Sequence, residues 1–145
     1  MRVTRRSAGR REIVRSLMTQ GVVATHPHES LTDVAERMRA HGVGAVAIME
    51  GDKLIGIVTE RDLARATVDG LSPRVTPAGR YMTPSPVTIS PEADASEAAT
   101  LMSAHRVRHL PVVEERKVIG FLSARDILRV QDRCGDLADL AYEPW

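Results

Sequence analysis

The apolar positions in the first half of the chain follow two different periods. Residues 21–25 form a short apolar run of the kind found in strands. After Ser30 the apolar residues recur at intervals of three and four positions, at Leu31, Val34, Ala35 and Met38. This spacing predicts an amphipathic helix that runs to about His41, with Asp33 placed to complete a capping box and Gly42 placed as a left-handed C-cap.

Two β-type runs follow this helix, at residues 45–49 and 53–58. Between them, residues 50–52 (Glu-Gly-Asp) have the composition of a hairpin turn. A second helix is expected to begin after Thr59. The first half of the chain therefore predicts a β-α-β-β-α unit.

The same order of signals occurs a second time. Residues 18–65 align with residues 82–129 at a constant offset of 64, and 16 of these 48 positions are identical. The second copy predicts a strand at 86–89, a helix from Asp94, strands at 109–113 and 117–122, and a helix after Ser123. A sheet of three strands with two helices leaves one face uncovered, so we expect the copies to pack about a pseudo-twofold axis. The predicted fold class is α/β (α+β).

The repeats suggest a division of the chain into five segments. A basic N-terminal arm occupies residues 1–13 and an acidic C-terminal tail occupies residues 131–145. The two domains are expected at 14–67 and 80–130, and the glycines and prolines of residues 68–79 are typical of a linker. We also expect a helix near residues 11–17, and we expect the acidic tail to extend the last helix.

Composition restricts the classes of protein that this chain can belong to. Of the 145 residues 43% are hydrophobic but only 3% are aromatic. The core must therefore be aliphatic, and the scarcity of rings argues against binding of single-stranded nucleic acid by base stacking. No apolar run has the length of a membrane span, and the basic start lacks the apolar stretch of a secretory signal, so we expect a cytoplasmic protein without membrane contact. Cys134 has no second cysteine with which to form a disulfide.

The charge of the chain is concentrated at its start. Residues 1–15 contain six arginines and one glutamate, although the net charge of the whole chain is only +1. Such an arm could contact nucleic acid or an acidic partner. A solvated terminus is the more frequent explanation, and we favour it.

The candidate chemistry lies where the last strand of each unit meets its last helix. Each junction has a hydroxyl residue, an arginine and an aspartate, at Thr59, Arg61 and Asp62 and again at Ser123, Arg125 and Asp126. Unpaired amides of a first helical turn attract anions, a hydroxyl or an arginine can hold a phosphate, and a carboxylate accepts from ribose hydroxyls. The same hydroxyl-x-x-aspartate spacing also forms a capping box without any ligand, which local chemistry alone favours.

Other reactive residue types form no recognisable site. The histidines at 26, 28, 41, 105 and 109 have no cysteine or carboxylate at a metal-ligand spacing. His41 and His105 end equivalent predicted helices, where an imidazole can serve as a C-terminal cap. No acid–base pair or nucleophile with its base is present in the pattern, so we predict neither a metal site nor an enzyme.

Several motifs together resemble a known family. They are Met-Thr at 82–83, Val-Thr-x-x-Pro at 87–91, an Ala-x-x-Met helix, Val-Arg-His-Leu-Pro-Val-Val at 107–113, Gly-Phe-Leu-Ser at 120–123 and Arg-Asp at 125–126. As a set they resemble the cystathionine-β-synthase (CBS) domain, and two in tandem resemble the Bateman module, over residues 14–130. The resemblance implies binding of adenosine-containing ligands in clefts between the copies: AMP, ADP, ATP or sometimes S-adenosylmethionine.

The resemblance also implies roles for particular residues. It places ribose recognition at Asp62 and Asp126 and phosphate-side hydroxyls at Thr59 and Ser123. The backbone that lines the adenine is expected at residues 23–25 and 87–89, including Val23, Thr25, Thr88 and Ile89. A basic residue that contacts phosphate in some members corresponds to His109, with Arg108 beside it.

The first copy departs from the family pattern at two positions. Ala45 stands where the second copy has His109, and Ala47 stands where it has Pro111. A phosphate in the first site would lose one nearby cation and depend on Arg61 or on a residue from elsewhere. We therefore expect the second site to bind more tightly.

The sequence leaves three functional hypotheses. The first is a nucleotide sensor that needs no cofactor and acts through ligand-dependent assembly, as the homodimer that the resemblance implies, or through an unidentified protein effector. The second is a structural or interaction module in which the candidate sites only cap helices. The third, and the weakest, is a nucleic-acid-associated protein that uses the arginine-rich arm.

Overall fold

The computed structural model describes residues 11–131 of the chain. Most of the predicted basic arm, the acidic tail beyond residue 131 and Cys134 lie outside the described residues. The first repeat contains α1 Val14–Leu17, β1 Thr19–Gln20, β2 Ala24–Thr25, α2 Leu31–His41, β3 Ala45–Glu50, β4 Lys53–Thr59 and α3 Glu60–Val68. The second contains α4 Ala78–Tyr81, β5 Thr83–Pro84, α5 Ala95–His105, β6 His109–Glu114, β7 Lys117–Ser123 and α6 Ala124–Gln131. The mixed α/β fold class is confirmed.

The long helices begin and end as their sequences predict. The Ser30 hydroxyl accepts a hydrogen bond from the Asp33 amide at 3.1 Å, and Gly42 ends α2 with φ of +64°. In the second repeat the Asp94 carboxylate caps α5, and Arg106 adopts the same left-handed conformation at φ of +53°. Residues three and four positions apart lie on the same face of a helix, so the apolar residues of each helix form one stripe, and this stripe is buried.

Each repeat gives its first strand to the sheet of the other repeat. One sheet has the order β2-β3-β4-β5 and the other the order β1-β7-β6. Strand β1 pairs antiparallel with β7, with Thr19 opposite Phe121, and β5 pairs antiparallel with β4, with Thr83 opposite Ile57. The sequence predicted that one copy covers the other; the structure shows that the two copies also exchange strands.

Equivalent contacts of the strand exchange are related by the same offset of 64 residues as the sequence repeat. The Val14 amide donates to the Ala93 carbonyl at 2.8 Å, and the equivalent Ala78 amide donates to the Glu29 carbonyl at 2.7 Å. The structural repeat therefore begins upstream of the sequence repeat, in segments that share no identical residue. The end of the predicted linker, residues 78–79, is the start of α4, which is the counterpart of α1.

The exchanged segments contribute to the cores as well as to the sheets. Val14 is fully buried and packs with Leu110 and Leu122 of the second repeat. Ala78 and Tyr81 pack in the core of the first repeat. Burial of this apolar surface is the main favourable term that holds the two halves together.

Three predicted elements differ in the structure. The helix expected at 11–17 is limited to Val14–Leu17, and the strand expected at 21–25 is limited to Ala24–Thr25. At 86–89 only Ile89 pairs, as a single bridge to Val112. The strands are short because the chain crosses between sheets here, with a left-handed residue at Gly21 (φ +85°) and at Ser85 (φ +46°).

Candidate functional site

The hydroxyl-aspartate pair of the first repeat caps α3. Both the Thr59 amide and the Thr59 hydroxyl donate to Asp62 Oδ2, at 2.8 and 3.3 Å. Asp62 is only 4% exposed, an unusual environment for a carboxylate. The capping function that the sequence allowed is therefore present.

The second repeat has the same arrangement at Ser123 and Asp126. The Ser123 amide donates to Asp126 Oδ2 at 2.8 Å, and the Asp126 amide donates to the Ser123 hydroxyl at 3.2 Å. Ser123 and Asp126 thus form a capping box, as Thr59 and Asp62 do in the first repeat. In both repeats the cap uses only Oδ2 of the aspartate, so Oδ1 is available to a different partner.

An arginine one turn along the helix occupies Oδ1 in both repeats. Arg65 Nη1 lies 3.3 Å from Asp62 Oδ1, and Arg129 Nη1 lies 3.8 Å from Asp126 Oδ1. These arginine side chains are 62% and 78% exposed, so their ion pairs are weak and readily exchanged. The sequence-based site prediction did not include either arginine. Arg65 and Arg129 are identical residues at equivalent positions of the two repeats, and this identity is the sequence signal that could have identified them.

His109 lies between the N-termini of α3 and α6. Burial lowers the pKa of His109 below its usual value, against the opposing effect of the Glu60 and Asp126 carboxylates. The like charges of Arg108 and Arg125 add to the lowering of this pKa. The sequence assigned His109 to the second site, and the structure brings it close to an acidic residue of the first repeat as well.

Arg108 lies in the same region, immediately before β6. Its pKa is lowered from the usual value for arginine, first by partial desolvation and then by the positive charges of Arg61 and Arg125. The structure therefore brings together Arg61, Arg108 and Arg125 from both repeats. The positive charges of the two repeats therefore act on one another, while Arg61 and Arg108 each have a further interaction within the described residues.

The residues predicted to line the adenine divide into two groups. The side chains of Thr25 and Ile89 are buried, and Ile89 packs in the core of the second repeat. Only the backbone of these two residues could face a ligand. Val23 is partly buried against the first core, whereas Thr88 is exposed and lines a surface cleft of about 330 Å³ together with Ser85.

The Thr25 hydroxyl is the buried side-chain oxygen that has no hydrogen-bond partner within the described part of the chain. The equivalent position in the second repeat is Ile89, which has no polar atom. The hydroxyl of Thr25 therefore occupies a position that belongs to the apolar core in the second repeat.

Residues 11–131, the part of the chain that the structure describes, contain neither a metal cluster nor a membrane-spanning helix. Among them, no group of three or more histidine, cysteine, aspartate or glutamate residues is placed to hold a metal ion. No helix in this part of the chain combines the length and hydrophobicity needed to cross a bilayer.

The duplicated fold, with its exchanged strands and paired helix caps, defines a tandem pair of small α/β domains. The family profile of the CBS domain matches residues 14–69 and again residues 78–133. The chain belongs to the CBS-domain family.

The relatives support this assignment over most of the chain. Hypoxic response protein 1 of Mycobacterium tuberculosis is 34% identical over 117 residues, which cover 79% of this chain and 82% of that protein. The solved structure of Hypoxic Response Protein I with two coordinated zinc ions has a TM-score of 0.70 at 32% identity and covers 81% of this chain and 98% of that chain.

Two further solved structures share the fold and contain adenosine compounds. The CBS domain pair of protein MJ0100, in complex with 5′-methylthioadenosine and S-adenosyl-L-methionine, has a TM-score of 0.79 at 24% identity and covers 86% of this chain and 99% of that chain. Protein PAE2072 of Pyrobaculum aerophilum, complexed with AMP, has a TM-score of 0.74 at 24% identity and covers 84% and 99%. At this identity the likeness shows the fold.

Proposed function

We propose that this chain is a regulatory module that binds adenosine-containing ligands at the N-termini of α3 and α6. The observation that carries the proposal is the duplicated, nearly buried aspartate whose Oδ1 is paired with an exposed arginine. The bound AMP, 5′-methylthioadenosine and S-adenosyl-L-methionine of the two structures with the same fold support this class of ligand.

The geometry explains how capping and ligand binding can coexist. Oδ2 of Asp62 or Asp126 remains bonded to the backbone amide that it caps. Ribose hydroxyls would donate to Oδ1 and displace Arg65 or Arg129, which would then be free to contact another part of the ligand. Hydrogen bonds to a charged acceptor contribute about 1.5–3 kcal/mol each, more than an exposed ion pair does.

The test is thermal unfolding of the full chain with and without adenosine, AMP, ADP, ATP and S-adenosylmethionine. A ligand at about 100 times its dissociation constant should stabilise the fold by about 2.7 kcal/mol. We expect at least one of these compounds to raise the midpoint by several degrees. If none of them does so, the proposal fails.

A pair of variants separates the ligand role of the aspartate from its capping role. Asp126→Ala should lower stability and weaken the ligand-induced shift. Asp94→Ala removes a cap from the same repeat, at the start of α5, and should lower stability by about 1 kcal/mol without changing ligand affinity. Equal ligand affinity in both variants would contradict a ribose contact at Asp126.

The completed caps favour one alternative, an interaction module without ligand. Asp62 and Asp126 satisfy their helices with no ligand present. In that case, no adenosine compound would change the unfolding midpoint, and partner capture would not depend on nucleotide. The homodimer, the protein effector and the separate domain boundaries stay predictions; light scattering with and without AMP would test the first.

A further inference from the structure

A carboxylate and an imidazole from different repeats meet over one glycine. A Cβ built on Gly44 would lie 3.4 Å from the carboxyl carbon of Glu60 and 3.4 Å from Nε2 of His109. Glu60 is the first residue of α3, immediately after Thr59 and two residues before the capping Asp62. The negative charge of Glu60 therefore lies beside the proposed site of the first repeat.

The equivalent place at α6 has the opposite charge. The Glu60 amide donates to the Gly44 carbonyl at 3.2 Å, and the Ala124 amide donates to the Arg108 carbonyl at 2.8 Å, so these residues are structural counterparts. Ala124 replaces Glu60 and Arg108 replaces Gly44. One helix N-terminus thus has a carboxylate at its first position, and the other has alanine with an arginine beside it.

The charge of Glu60 is not cancelled by its histidine neighbour near neutral pH. Burial lowers the pKa of His109, so the imidazole is mainly uncharged there. A carboxylate at the first turn of a helix is itself stabilised by the unpaired amides, which makes it a competitor for any phosphate that approaches them.

We propose that Glu60 determines ligand charge: it disfavours phosphate at the N-terminus of α3 and favours adenosine compounds with a neutral or cationic 5′ group there. The N-terminus of α6, with Ala124 in this position and Arg108 and Arg125 nearby, accepts the anionic nucleotides. This inference rests on the proposed function, because it assigns different classes of ligand to the two sites that the proposed function contains.

The experiment compares adenosine with ADP, which share the nucleoside and differ in charge. Binding of each is measured by calorimetry to the wild-type chain, to Glu60→Gln and to the matched variant Ala124→Glu, at low and at high salt. Glu60→Gln keeps the size of an exposed side chain, so we expect it to fold normally, and the unfolding midpoint without ligand checks this.

Removal of the charge at Glu60 should tighten ADP binding at one site by roughly 5-fold at low salt and less at high salt. Adenosine affinity should stay within about 2-fold, because no charge of the ligand is involved. Ala124→Glu should weaken ADP binding at the other site in the same salt-dependent way.

Two results would overturn the proposal. If Glu60→Gln changes adenosine and ADP affinity equally, or changes neither, then Glu60 does not select charge, although the nucleotide-binding function itself would stand. If neither adenosine nor ADP binds the wild-type chain, the role of Glu60 fails, and the proposed function fails with it only if AMP, ATP and S-adenosylmethionine do not bind either.

Discussion

The backbone carbonyl of Thr19 lies against the α-carbon of Gly120, at the point where β1 of the first repeat crosses onto β7 of the second. A Cβ at Gly120 would overlap this carbonyl oxygen and would lie 3.2 Å from Met18 Sδ. At the equivalent Gly56 the neighbour is the side chain of Met82. Both glycines are required by the close approach of the other repeat.

Substitution of these glycines should destabilise the fold to different extents. We expect Gly120→Ala to lower the free energy of unfolding by more than about 2 kcal/mol, because a backbone carbonyl cannot move away without breaking the β1–β7 pairing. Gly56→Ala should cost less, since a methionine side chain can change rotamer. Urea unfolding of both variants measures the difference, and an equal loss in the two would contradict this account.

The C-cap of α5 should be improved by glycine. Arg106 has φ of +53°, a conformation that costs about 1 kcal/mol for most residues and that Gly42 adopts freely in the first repeat. Arg106→Gly should therefore stabilise the protein by about 0.5–1 kcal/mol. Gly42→Ala is the converse variant and should destabilise it; thermal unfolding of the two should show shifts of opposite sign.

The unpaired hydroxyl of Thr25 should be replaceable with a gain in stability. An unsatisfied buried hydroxyl costs about 1–3 kcal/mol, so Thr25→Val should raise the free energy of unfolding by about 1 kcal/mol. Ile89→Thr places a hydroxyl at the equivalent position of the second core and should lower stability. If Thr25→Val proves destabilising, the hydroxyl has a partner that the described residues do not include.

Stability should fall in mild acid because of His109. Burial lowers the pKa of His109 in the folded chain below its usual value of 6.5. Below pH 6.5 the histidine is therefore protonated in more of the unfolded chains than of the folded ones. This contribution is fully present above the unfolded pKa and is lost as the pH falls from there towards the folded pKa, with a slope of at most about 1.4 kcal/mol per pH unit. His109→Gln should flatten the pH profile below about pH 6.5, the pKa of an unperturbed histidine; an unchanged profile would contradict the assignment.

The local elements could be predicted from sequence because their determinants are local. Helix α2 follows from the stripe that begins at Leu31, from the Ser30 cap and from Gly42, and each of these signals acts within a few residues. The hairpin of β3 and β4 likewise depends on a short turn, with Gly51 at φ of +58°. The hydroxyl-aspartate caps belong to the same class of local signals.

The strand exchange could not be predicted in this way. The pairing of Thr19 with Phe121 joins residues that are distant in sequence, and α1 and α4 share no identical residue at the repeat offset. The placement of Glu60 and His109 on either side of Gly44 also depends on how the two repeats pack. Proximity across a packed interface is not visible in the spacing of residues within one repeat.

The exchanged strands make each half of the molecule a structural part of the other. Neither β4 nor β7 has its full set of neighbours until the other repeat has contributed β5 or β1. The two repeats should therefore fold and unfold as one cooperative unit, and a chain cleaved between Ser72 and Val75 should remain associated under native conditions. A ligand that binds at one helix should for the same reason stabilise the whole molecule, since neither repeat can unfold without removing a strand from the other.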